Sequence, residues 1–185
     1  MASGRSPKWS TWMLPVLLAV GCRAEASGEA DRAQAYVLEL EGGVRGSRGQ
    51  EAWAQDVLAD GLGQTRWLRS DGRGPRLSAQ VRFDERELEP GGPVLRVLLS
   101  VEPDPELTVA LDAVDEELEA HVELERRDHT VDLRRDLPFA IHRALAIIDA
   151  KITVARGDVH DLEALLASAD PEVVIVAMGG IMRRN

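Results

Sequence analysis

Leu77-Ser78-Ala79-Gln80-Val81-Arg82-Phe83 alternates apolar and polar side chains, and Leu95, Val97, Leu99 and Val101 repeat the pattern after a gap. A period of two sends successive side chains to opposite faces, so each run reads as a strand with one buried side. Between them lies Glu89-Pro90-Gly91-Gly92-Pro93, a strong turn signal. Downstream, Leu118, Ala120, Val122 and Leu124 alternate with Glu117, Glu119, His121, Glu123 and Glu125. That predicts another strand, with one heavily acidic edge or face. Leu107, Val109 and Leu111 predict a strand before it, with Asp115-Glu116 as the hairpin tip.

Upstream, Tyr36, Leu38 and Leu40 alternate with Val37, Glu39 and Glu41, a strand stopped by Gly42-Gly43. Residues 50–62 carry Trp53, Val57, Leu58 and Leu62 at helical spacing, ending at Gly61 and Gly63. A short strand over Thr65–Arg69 leads into the turn-rich stretch 70–75. After the strands comes a long helix. Asp136 is read as its cap, Pro138 as part of its first turn, and Ile141, Leu145, Ile148 and Ile152 as its buried stripe. Arg156-Gly157 ends it. The expected fold is therefore α+β, an antiparallel sheet packed on two helices, followed by a helical hairpin. The hairpin pairs a helix capped by Asp158, with Leu162, Leu165 and Leu166, and a helix opened by Asp170-Pro171, with Val173, Val174, Ala177, Met178 and Ile181.

At the other end, Arg5 and Lys8 precede nine mostly apolar residues, Trp12–Val20, then Gly21 and Cys22, the only cysteine. The run fits a signal peptide, about 7–15 apolar residues, and is far short of the roughly 20 needed to span a bilayer. It resembles the export signal of bacterial lipoproteins. That resemblance implies cleavage between Gly21 and Cys22 and lipid attachment (palmitate or a related acyl chain) on Cys22. Ala19 stands where the family prefers Leu, which here is Leu18, and an ordinary secretory signal cut nearby is the alternative. Acyl chains would also remove a thiol that is otherwise exposed to intermolecular pairing. The organisation expected is a signal over 1–21, a tether over 22–34, an α+β domain over 35–156 and a helical pair over 158–185.

Removing the signal leaves 164 of 185 residues, enough for one domain with a real core. The chain's net charge is −10, and the signal holds two basic residues and no acidic one, so the mature chain is more acidic still. That argues against nucleic acid and anionic head groups as charge-driven partners. Membrane attachment would rest on the lipid, and no intrachain disulfide can form.

In element order, residues 35–156 resemble the amino-terminal domain of TolB and the periplasmic core of the curli-secretion lipoprotein. That resemblance implies an envelope protein which binds other proteins and is not an enzyme. Residues 158–185 resemble a single HEAT repeat, with Asp170-Pro171-Glu172-Val173 as its turn and Ala177, Gly179 and Ile181 as packing positions; Val174 replaces the usual Arg. One such pair cannot bury its own apolar face. It is expected to pack on the preceding domain, to meet a partner, or to continue into further repeats.

Residues for chemistry are scarce. His121, His129, His142 and His160 lack metal-ligand spacing. Asp128, His129 and Asp132 cluster between elements, and Asp84, Glu85 and Glu87 read as a solvated strand end. No nucleophile elbow or phosphate loop is present. Trp53 and Phe139 are assigned to helix faces turned to the core. The sequence therefore points to no catalytic, metal or cofactor residue. It points to a lipid-anchored envelope protein, on the periplasmic face of the outer membrane, that recognises another protein. The alternative is an exported hydrolase or small-ligand binder whose site forms only in the fold, signalled by a pocket uniting two or more of His121, His129, Asp128 and Asp132.

Overall fold

The alternating runs become the middle of a curled five-stranded sheet. A computed structural model describes residues 35–46, 49–87, 93–125, 131–157 and 159–184. Cys22, Gly21, the tether, the turn at 88–92, Asp128, His129 and Asp158 lie outside the described residues. In chain order the elements are β1 (Tyr36–Arg45), α1 (Glu51–Leu62), β2 (Leu68–Arg69), β3 (Arg76–Glu87), β4 (Pro93–Glu102), α2 (Pro105–Asp112), β5 (Glu119–Glu125), α3 (Leu133–Arg156), α4 (Val159–Leu166) and α5 (Pro171–Arg184). The sheet order is β2-β1-β3-β4-β5.

The sheet is mixed, which corrects the antiparallel expectation. β3, β4 and β5 are antiparallel, whereas β1 runs parallel to both β2 and β3. The α1 crossover forces the first parallel pair, because a strand that leaves through a helix returns in the same direction. Only two residues long, β2 lets the chain swing round the start of β1 into β3. Gly74 makes that path possible, since a Cβ there would lie 1.8 Å from the Ala35 carbonyl oxygen.

Gly42-Gly43 does not end β1. The register jumps between Leu40 and Val44 while β3 advances only from Ala79 to Val81. Both glycines have φ near +70°, a region side chains disfavour, so they form a bulge inside a strand that runs on to Arg45.

Leu107, Val109 and Leu111 belong to a helix, not a strand. Asp104 is extended and its carboxylate accepts the Leu107 N–H at 2.7 Å, and Pro105 opens the first turn, where its missing N–H costs nothing. Leu107 and Leu111, four apart, are buried, and Val109 is exposed. Asp115-Glu116 accordingly joins a helix to a strand, with Asp115 at φ 51°.

Inward side chains of all four long strands share one sheet face: Leu38, Val44, Leu77, Val81, Phe83, Leu95, Val97, Leu99, Ala120 and Val122 are buried. Against this face α1 covers β1 and β2, while α3 covers β4 and β5. Ile141, Leu145, Ile148 and Ile152 are all at most 1% exposed. The helix starts earlier than expected. Asp132 is the cap, accepting the Arg134 N–H, and Asp136 is the buried carboxylate that accepts the Asp132 N–H at 3.0 Å and the Arg135 guanidinium at 3.0 Å. Leu133 and Leu137 carry the apolar stripe one turn upstream, which places Pro138 inside the helix. Phe139, assigned to the core from sequence, is 60% exposed; it falls between the buried positions Leu137 and Ala140 and points outward.

Residues 35 onward form one unit. The last two helices pack on α3: Val173 joins the main core, and Leu162 packs with Val154 and Val114. Asp170 couples α5 to α3 through Arg143, whose Nε lies 2.7 Å from its carboxylate, and also accepts the Glu172 N–H. Burial pushes the Asp170 carboxyl up, but these partners outweigh it and hold it below its ordinary value.

Candidate functional site

Among the described residues, three regions are candidates for a functional site. The first is the outer side of α5. This helix is apolar almost all round, so its inner row (Val173, Ala177 and Gly180) can be buried while its outer row stays apolar. Gly180 sets the inner fit, since a Cβ there would come within 2.6 Å of Val154. On the outer row, Ile175, Met178 and Met182 are 66%, 45% and 70% exposed. Their spacing of three and four places them on one stripe. Of these only Met178 was singled out from sequence; Val174 and Ile181, expected alongside it, are half-buried. Leu166, on α4, adds to the exposed apolar surface.

The second region is a groove of about 540 Å³ on the outer sheet face. Register brings Arg45 opposite Arg82, Arg82 opposite Leu98, and Leu98 opposite His121, one row across four strands. The next row is Asp84, Arg96 and Glu123, with the Arg96 Nε 2.8 Å from the Glu123 carboxylate. Gly46, Phe83, Val97 and Val122 complete the lining. His121 is the one member of the expected quartet found in it; Asp132 sits away at the cap of α3.

The third region is a cavity of about 250 Å³ between α1, α3 and the last two helices, lined by Thr65, His142, Asp149, Leu165 and Ser168 among others. Asp149 uses both oxygens, accepting the Arg66 N–H at 3.1 Å and the Trp67 N–H at 2.7 Å. Burial pushes its carboxyl up, against the pull of those two N–H groups and of Arg69 and Arg66. The group thus locks the segment entering β2 onto α3, a structural task. His142 Nε2 lies 3.9 Å from Asp60 and makes no hydrogen bond.

His160 is exposed beside Glu163 at 3.4 Å. Among the described residues there is no group of three or more His, Cys, Asp or Glu that could hold a metal ion. No helix among them is long and apolar enough to cross a membrane. Compared with known family models, curated proteins and solved structures, the chain matches none.

Proposed function

We propose that this chain is a lipid-anchored cell-envelope protein that acts by docking another protein through the outer face of α5, without catalysis of its own. The exposed stripe Ile175-Met178-Met182 is the observation that carries the docking reading. Single exposed apolar residues are ordinary, but a stripe along a helix already fixed to its domain is a preformed binding face. Methionine suits it, because its unbranched side chain adapts to the partner's contour. The sequence of Arg5, Lys8, the apolar run and Gly21-Cys22 supports the anchor, and the outer membrane's periplasmic face is the location this reading favours.

The anchor is tested by expression in a bacterium. Wild type should take up labelled palmitate and enter the detergent phase, and Cys22→Ser should do neither. Unlabelled wild type would remove the lipid from the proposal. Docking is tested by the double variant Ile175→Glu/Met182→Glu. Both positions are exposed, so folding should survive, while association with the partner should weaken by at least about tenfold, as for loss of central interface contacts.

A further inference from the structure

Arg45 and Arg82 are directly opposed on adjacent parallel strands. Like charges in that relation repel and weaken a sheet. The chain has carboxylates to spare, 32 acidic residues against 22 basic. Yet among the described residues neither guanidinium lies within salt-bridge distance of one. The one polar partner shown for Arg82 is Gln80, at 3.3 Å. Arg96, one row away, is by contrast matched with Glu123. Among the described residues, two cations without an ion-pair partner therefore occupy neighbouring strands at one end of a groove whose next row holds the carboxylates Asp84 and Glu123.

Beside them in the same row Leu98 supplies an apolar, half-buried surface, and the next row carries the charged side chains Asp84, Arg96 and Glu123. Gly46 lets the end of β1 pass close to Phe83, since a Cβ there would collide with the ring at 2.0 Å. The volume of about 540 Å³ suits a small organic molecule. Guanidinium forks match planar or tetrahedral oxyanions with paired hydrogen bonds, which a point charge does less well. We propose that this groove binds an organic anion, with a carboxylate or phosphate group between Arg45 and Arg82 and an apolar body over Leu98 toward His121. The site is separate from the α5 stripe and stands or falls independently of docking there.

The test is calorimetric titration of the full-length protein in detergent with phenyl phosphate, phenylacetate and inorganic phosphate. At least one of the two organic anions should bind saturably with a dissociation constant of about 1 mM or tighter, roughly 4 kcal/mol, and inorganic phosphate should bind more weakly than phenyl phosphate. Tighter binding of phenyl phosphate would identify the group as phosphate, and tighter binding of phenylacetate would identify it as carboxylate. Arg45→Gln and Arg82→Gln should each weaken binding about tenfold. Their melting temperatures should hold or rise because a repulsion is removed, so lost affinity will not reflect unfolding. Arg82→Lys should fall between wild type and Arg82→Gln. Absence of binding by both organic anions, or affinity unchanged in both Gln variants, overturns the proposal.

Discussion

Leu145→Ala should cost about 2–5 kcal/mol of stability, the range for removing a fully buried leucine. Leu145 is 1% exposed near the middle of α3, the helix that covers β4 and β5 and also contacts the last two helices. The void would lie in the main core, beside Gly61 of α1, so little can collapse into it. Denaturant unfolding should show a lower midpoint with unchanged slope. Phe139→Ala, on the same helix but mostly exposed, should change stability by less than about 0.5 kcal/mol. A comparable loss at both positions, or a loss at Leu145 below that figure, would mean that α3 is not docked by this face.

Asp149→Ala should be the second large loss, about 1–3 kcal/mol for each N–H left without a partner. The affected groups are the Arg66 and Trp67 amides, and the disturbance reaches further. The Trp67 carbonyl accepts the Tyr36 N–H at 2.7 Å, and its indole donates to Thr153 at 2.9 Å. Freeing this segment loosens β2 from both β1 and α3. The pH dependence has a definite sign. Because burial raises the folded-state pKa of Asp149 above its unfolded value, the native state holds its proton more tightly. Its contribution is then greatest below the unfolded carboxylate value of about 3.9 and is lost as pH rises through the higher folded value. Wild type should therefore gain stability relative to Asp149→Asn as pH is lowered from neutrality into that window. A constant difference between the two proteins, or one that shrinks on acidification, would contradict this account. Asp170 works in the opposite sense. Its lowered carboxyl gives stability that is present above the ordinary carboxylate value and is lost in stronger acid.

Local periodicity made most elements legible and left their relations hidden. β3, β4 and β5 follow from alternation because each has one wet face, and α3 follows from a stripe with an unbroken 3.6-residue period. The segment at Leu107 deceived because spacings of two and four coexist in three leucine or valine positions. Asp104 and Pro105, a cap and a first-turn proline, were the deciding signal. Gly42-Gly43 reads equally as a stop or as a bulge until a neighbouring strand supplies a register. The parallel placement of β1 rests on a crossover and on pairing with residues about 40 positions away, which no local pattern encodes.

The candidate sites show the same division. Arg45 and Arg82 are unremarkable in sequence and meet only through the register of β1 on β3. Asp149 carried a signal that could have been read, a lone carboxylate within Ile147-Ile148-Asp149-Ala150 on a core helix. The outer stripe of α5 was visible as spacing. Its direction was not, because an almost wholly apolar helix does not reveal which side its neighbours will cover.

The central claim, docking through that stripe, is tested most directly by a photo-crosslinking residue placed at Met178 in the full-length protein in living bacteria. Met178 should give a discrete adduct with a partner protein. The adduct should disappear when Ile175→Glu is added and should be absent with the crosslinker at Glu163, an exposed polar position on α4. No adduct at Met178, or equal adducts at Met178 and Glu163, would contradict the docking face.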